Sequence, residues 1–302
     1  MIQPPFLKPG DRIAIISTAR KITLEEIKPA IEVFESWGLT VETGASIGAA
    51  DNQFAGPDEL RRQDLQQMLD RPEIRAVFCA RGGYGTARII DQIDFSGFAQ
   101  APKWVVGFSD VTVLLSHLYQ LGFESVHAIM PVLFSRAGSE AAIQSLKNVL
   151  FGSPVQYQAQ PHPFNRPGAA TGALTGGNLT MLHTLIATPS DVDTRGTILF
   201  LEDLDEYLYH IDRMLGHLNR CGKLQNLAGL VVGHMSDMND NTIPFGHTAY
   251  DIIRQHISAY NYPVCFDFPV GHEPHNLALV CGRQTQLNIT DRGVTLIQEP
   301  VF

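Results

Sequence analysis

In the run VVGFSDVTVLLSHL a β-rich segment ends at Gly107-Phe108-Ser109-Asp110 and a helical pattern starts at once. A serine on so sharp a strand-to-helix turn holds its hydroxyl clear of the sheet, and the N–H of the next residue, Asp110, is placed to stabilise an oxyanion. Gly107 supplies one small residue of such a nucleophile elbow, while Val111 stands where the pattern G-x-S-x-G has its second glycine. Ser109 and Asp110 equally suit an ordinary helix cap, the commoner role for such a fragment. A second run, Arg81-Gly82-Gly83-Tyr84-Gly85-Thr86, also joins a strand to a helical segment. Glycines let backbone N–H groups approach an anion, and a helix start adds partial positive charge, so the loop suits a phosphate, a carboxylate or an oxyanion; an ordinary tight turn is the plainer reading. Its spacing matches neither G-x-G-x-x-G nor G-x-x-x-x-G-K-[ST].

Two further runs carry titratable groups. TILFLEDLDEYLYHIDRML ends a strand pattern at Glu202-Asp203. A carboxylate there can orient a histidine, although acidic residues leading into a helix also serve as dipole partners. In FPVGHEPHNLALVCG, Gly271-His272 follows a short strand, and His272 has the titration range of a general base, although a lone histidine is more often structural. The chain order Ser109, Glu202, His272 is one that nucleophilic hydrolases on α/β sheets show, and also one that a chain of this length offers by chance. His272, Glu273 and His275 do not make the zinc motif H-E-x-x-H, because the histidines are three apart with Pro274 between them. No metal and no cofactor is expected.

These residues need elements to hold them. From Asp11 to about Pro131 the strand candidates RIAIIS, LTVET, IRAVFCA, KWVVGF and ESVHAIM alternate with helical segments, which predicts a flavodoxin-like parallel sheet with helices on both faces. Helices are expected from a capping box at Thr23 and Glu26 to Gly38, and over 58–69, 86–93, 110–121 and 139–150. Pro29 should kink the first of these or delay its start to Lys28. Residues 1–151 then form one domain, 152–172 a Pro/Gly-rich linker, and 173–302 a smaller, β-rich mixed α/β domain. The second domain has strands at TILFLED, LAGLVVGH, VCFDFP and QLNITDRGVTLIQ, the last with a hairpin at Asp291-Arg292-Gly293. Its helices are expected near 178–187, 208–219 and 247–257.

The 302 residues are 44% hydrophobic and 18% charged, which excludes a disordered chain. A net charge of -9 without any Lys/Arg-dense run argues against nucleic acid or an anionic membrane as partner and for a small molecule or peptide. Cys79, Cys221, Cys265 and Cys281 are too scattered for a disulfide framework and read as buried thiols. With no signal-peptide pattern in MIQPPFLKPGDRIAI and no apolar run of membrane-spanning length, a cytoplasmic protein is expected.

The stretches FAGPDELRRQDLQ, ARGGYGTARIID, GFSDVT, LTGGNLTML, FLEDLDEYLYHIDRML and VGHEPHNLALVCG together resemble, in order and over nearly the whole chain, the LD-carboxypeptidase family of serine peptidases, which includes the microcin C self-immunity hydrolases. The resemblance implies a triad of Ser109, Glu202 and His272 divided between two domains with the active site in the cleft, a homodimer, and a murein tetrapeptide cut between an L-centre (lysine or diaminopimelate) and terminal D-alanine. On that reading Asp110 and Gly83 are the candidate oxyanion donors, Arg81 pairs with the substrate's terminal carboxylate, and Gly82, Gly176, Gly177 and Asn178 line the cleft. The chain departs from the family pattern at IISTAR, where Pro-Ser is usual, and at His127-Ala128-Ile129-Met130-Pro131, where a tighter His-Gly-Pro is expected. Hydrolysis of a microcin-type aminoacyl nucleotide is the second enzyme reading. A non-catalytic module that holds an anion at the Gly82-Gly83 turn is the alternative of another class.

Overall fold

Short apolar strands buried on both faces need cover on both sides, and the first half of the chain supplies it by alternating them with helices. The computed structural model describes residues 1–299. In chain order its first half holds β1 (Arg12–Ile16), α1 (Leu24–Ser36), β2 (Thr40–Thr43), α2 (Asp58–Asp70), β3 (Ile74–Cys79), α3 (Ser96–Gln100), β4 (Trp104–Gly107), α4 (Thr112–Gln120), β5 (Ser125–His127) and α5 (Glu140–Leu150). β1 to β5 pair in parallel in the order 2-1-3-4-5. This is the flavodoxin-like order, with its switch point between β1 and β3. The Thr23/Glu26 capping box is present, and α1 runs from Leu24 straight through Pro29. The carbonyl that the proline leaves without its helical partner belongs to the exposed Glu25. The segment expected as a helix over 86–93 is instead two 3₁₀ turns, Thr86–Arg88 and Ile90–Gln92. Its first N–H groups are taken by a side chain from outside the segment, as described below.

The second half continues with β6 (Val155–Ala159), β7 (Gly168–Asn178), α6 (Leu179–Thr184), β8 (Ile198–Leu204), α7 (Leu208–Arg220), β9 (Gly229–Ser236), α8 (Ala249–His256), β10 (Val264–Cys265), β11 (Leu279–Cys281), β12 (Gln284–Thr290) and β13 (Gly293–Gln298). Its sheet has the order 10-9-8-7-12-13-6, parallel from β7 to β10 and antiparallel from β7 through β12 and β13 to β6. Residues 152–172, expected as a linker, contain β6 and the start of β7, each paired into this sheet. Polar composition hid them, because one face of each is exposed. β11 crosses back to the first sheet and pairs antiparallel with β5, closing that edge with three buried residues.

The two sheets are stitched at this return. Arg283, 1% exposed, donates to Glu124 at 2.6 Å and to Gln3 at 2.8 Å, and its guanidinium lies 5.9 Å from the centroid of the Trp104 ring. A charge buried this deeply persists only because its partner and hydrogen bonds travel with it. Of the cysteines, Cys79, Cys265 and Cys281 are buried as expected, whereas Cys221 is exposed, because it caps α7 at a turn into solvent. Among the described residues no helix is long and apolar enough to cross a membrane.

Candidate active site

β4 delivers Ser109. The chain leaves the strand at Phe108 in extended conformation, and Ser109 takes φ 63° before a 3₁₀ turn leads into α4. A non-glycine residue held there stores about 1–3 kcal/mol of strain, which the surroundings must over-determine. They do so from three sides. A Cβ on Gly107 would lie 2.8 Å from the Val111 side chain, so Gly107 makes room for the bulky residue that replaces the second glycine of the elbow. Gly82 passes so close that a Cβ there would sit 2.9 Å from Ser109 Cβ and 3.0 Å from its Oγ. Asp110, 1% exposed, turns its carboxylate away from the cleft to accept from the N–H of Thr86 at 2.9 Å and of Gly85 at 3.3 Å. Burial pushes that carboxyl up, against the two N–H donors and the charge of Arg61.

Arg61 was not singled out from sequence, since a helical arginine is ordinarily a surface charge. It is completely buried and donates to the carbonyls of Thr18 at 2.5 Å, Gly85 at 3.0 Å and Gly56 at 3.3 Å, and to Asp58. With the Thr18–Thr86 hydroxyl contact at 2.7 Å, it ties the glycine loop to the end of β1. The loop is therefore rigid next to the serine. Replacing Gly82 with alanine is expected to lower kcat/KM about 10²-fold with little change in melting temperature. The new methyl can displace the flexible end of Met130, but it can avoid Ser109 only by moving it. Steady-state kinetics beside a thermal melt check this.

The second sheet brings the acid and the imidazole. Glu202, fully buried near the end of β8, lies 2.7 Å from His272 Nδ1 through its Oε2. A carboxylate only accepts, so Nδ1 carries the proton and Nε2 is left for other work. Gly271 permits the approach: it sits at φ 128°, and a Cβ there would fall 3.3 Å from Glu202 Oε2. Its N–H donates to Asn276 at 3.0 Å, and Arg136 donates to the His272 carbonyl at 2.8 Å. The ring of Phe108 packs on the imidazole with centroids 4.8 Å apart, linking the residue before Ser109 to His272. Burial pushes the His272 imidazolium down, but the charge of Glu202 and the hydrogen bond to it outweigh this and hold its pKa above the ordinary histidine value.

Ser109 and His272 line one cavity of about 230 Å³ together with Arg20, Arg81, Gly82, Gly83 and Phe108. Gly83 bends the loop at φ 109°. Arg81 reaches this cavity but also pairs with Glu26 at 3.6 Å. Gly176, Gly177 and Asn178 do not line it. A Cβ on Gly176 would strike the Phe200 carbonyl, and one on Gly177 would strike Thr112 Oγ1. The N–H of Asn178 donates to the same Thr112 oxygen at 3.1 Å, while its side chain donates to Asp203 and caps α6 through Met181. These three residues form the seam that seats the second sheet on the nucleophile's helix, so their side of the expected substrate contact is replaced by packing. His127 is wholly buried between Phe108 and Phe200. Burial pushes its imidazolium down to about 4, against the pull of Glu202, so it is neutral near pH 7. Among the described residues no cluster of three or more His, Cys, Asp or Glu could hold a metal ion.

The arrangement supports attack by a serine whose proton passes to a histidine steadied by a buried carboxylate. The chain matches a model described as the LD-carboxypeptidase N-terminal domain over residues 13–128 and one described as the LD-carboxypeptidase C-terminal domain over 171–287. It is 32% identical to a probable murein peptide carboxypeptidase of Bacillus subtilis, covering 97% of this chain and 94% of that one. With the murein tetrapeptide carboxypeptidase of Pseudomonas aeruginosa it shares 29% identity, over 91% and 92% of the two chains. The crystal structure of the muramoyltetrapeptide carboxypeptidase from Oxalobacter formigenes superposes with a TM-score of 0.88 at 28% identity, covering 96% of this chain and 99% of that one. By both halves of its sequence and by its two-sheet fold, the chain belongs to the LD-carboxypeptidase family, a family of serine peptidases.

Proposed function

We propose that the protein removes terminal D-alanine from murein tetrapeptides, cutting the bond to an L-centre through an acyl-enzyme on Ser109. The observation that carries this reading is the 2.7 Å Glu202–His272 pair facing the same cavity as a serine held at φ 63°. His272 Nε2 takes the Ser109 proton as Oγ attacks the carbonyl of the L-centre, and Glu202 stabilises the imidazolium that forms. The N–H groups of Asp110 and Gly83 are the donors we assign to the oxyanion, each typically worth ~3–4 kcal/mol. His272 then protonates the departing D-alanine amine, and water attacks the acyl-enzyme by the reverse proton path. With this chemistry goes the family expectation of a cytoplasmic homodimer that acts on recycled cell-wall peptides.

Hydrolysis of an aminoacyl nucleotide ranks second, because stacking a base needs an aromatic platform. Trp37 and Trp104 are 8% and 0% exposed and neither reaches the cavity, whose aromatic wall is Phe108. The test is D-alanine release from a purified tetrapeptide with an L,D terminal bond, alongside stoichiometric labelling by an active-site serine probe. Release together with labelling is expected. Labelling without release would discard the murein substrate and bring the nucleotide forward, and neither would favour a non-catalytic anion binder.

A further inference from the structure

Beside the serine cleft lies a larger cavity of about 430 Å³, lined by Arg20, Lys21, Asn52, Gln53 and Arg81. Arg20 and Arg81 border both, so the two are neighbours that share a wall. Arg20 and Lys21 follow β1 and Arg81 follows β3, which places this cavity where the strand order of the first sheet reverses. In doubly wound sheets the connections leave such a point in opposite directions and open a crevice beyond the carboxyl ends of the strands. IISTAR, one of the two places where the chain departs from its family's pattern, is the segment that puts Arg20 there.

The crevice is cationic. Among the described residues neither the Arg20 guanidinium nor the Lys21 ammonium has a side-chain hydrogen bond or ion pair. Arg81 has Glu26 at 3.6 Å, a carboxylate that also accepts from the Thr23 N–H at 2.8 Å. Asp51, beside Asn52, accepts from the Asn52 amide at 3.0 Å. The stem of Arg20 lies across Gly83, where a Cβ would come within 2.5 Å of its Cδ, so the bare glycine lets this arginine lie between the two cavities.

We propose that this crevice is the subsite for a carboxylate on the acyl side of the scissile bond, that of the acidic residue preceding the L-centre. The inference rests on the peptidase reading of Ser109. A carboxypeptidase leaves one residue beyond the bond it cuts, so a cavity larger than the serine cleft itself serves the rest of the peptide. In a murein stem that residue is a γ-linked glutamate, whose α-carboxylate stays free. A guanidinium fork with an ammonium beside it suits this group, and the amides of Asn52 and Gln53 suit the backbone around it.

The experiment compares two tetrapeptides that differ only in that group, free carboxylate against carboxamide, with wild type and with Arg20→Met/Lys21→Met. Wild type is expected to favour the acid roughly tenfold or more in kcat/KM, mainly through KM. The double variant brings the ratio toward one. Because the ratio is read within each protein, loss of folded enzyme cannot mimic the effect. Should the double variant not fold, the wild-type ratio read against salt decides, since an ionic preference shrinks as salt rises. Equal rates in wild type, a ratio indifferent to salt, or a ratio that persists in the variant overturns the subsite. If amidating the terminal D-alanine, and not the glutamate, is what the variant ceases to sense, the crevice serves the leaving residue and the proposal is also wrong. Failure of wild type to release D-alanine from either peptide overturns the peptidase reading itself, a result distinct from release at equal rates.

Discussion

Alanine at position 109 is expected to abolish all but a trace of D-alanine release, lowering kcat on the order of 10⁶-fold, the scale seen when a serine hydrolase loses its nucleophile. What remains is the contribution of binding and oxyanion donors, which the substitution leaves in place. Stability separates this from a folding defect. Ser109→Ala keeps a Cβ at φ 63° and should melt within a degree or two of wild type, whereas Ser109→Gly relieves the left-handed strain. The glycine variant is therefore expected to be equally inactive yet more stable by about 1 kcal/mol, measured by urea unfolding. A protein that loses activity and gains stability at one position is holding that residue strained for its chemistry. If Ser109→Ala retained a tenth of the wild-type rate, another group would be the nucleophile.

The second large effect is on the pH profile. His272 can accept the serine proton only when neutral, so kcat/KM should fall on the acid side as pH drops through its pKa. That limb lies above the ordinary histidine value in wild type, because the charge of Glu202 and its hydrogen bond overcome the burial that pushes the imidazolium down. In Glu202→Gln the charge is gone and burial is left opposed mainly by the buried Asp203, so the limb is expected to move to lower pH. The same substitution should lower kcat on the order of 10⁴-fold, since an amide can present its N–H to Nδ1 and favour the wrong tautomer. His127, pushed down to about 4, does not titrate in this range, whereas Asp203, pushed up to about 6 by burial and by Glu202, does. An unchanged limb in Glu202→Gln would mean that another group sets the base's pKa.

Part of this arrangement is legible in the sequence, and the reason differs by residue. Ser109 was a candidate on local grounds, because a β-rich run, a glycine and an immediate helix pattern fall in one short window, and so was the Gly82-Gly83 loop, but a helix cap and a tight turn fit those windows as well. The five parallel strands were readable in the same way, since β1, β3, β4 and β5 are short runs of mostly buried residues and the edge strand β2 keeps their spacing between helices. Glu202 and His272 were ambiguous on local grounds alone, being an acid at a strand end and a lone histidine; the family pattern across the chain singled them out. Their meeting at 2.7 Å depends on β8 and the loop after β10, 70 residues apart, and on a glycine whose φ the sequence does not print.

Other features belong to the tertiary structure alone. β6 and the start of β7 looked like a linker because polar, Gly-rich strands with one wet face lack the apolar run that marks a buried strand. β11 returns to the first sheet because three buried residues complete the edge of β5, a pairing no local window contains. Gly177 and Asn178 looked like substrate contacts and lie in a seam, and Arg61, which no local pattern marks, is the buried tie of the glycine loop. Residue type and spacing announce which groups can do chemistry, because reactivity and backbone freedom are properties of single residues and short turns. Which of those groups face a cavity and which are consumed by packing is set by contacts between segments far apart in the chain, and that only the folded arrangement of the two sheets decides.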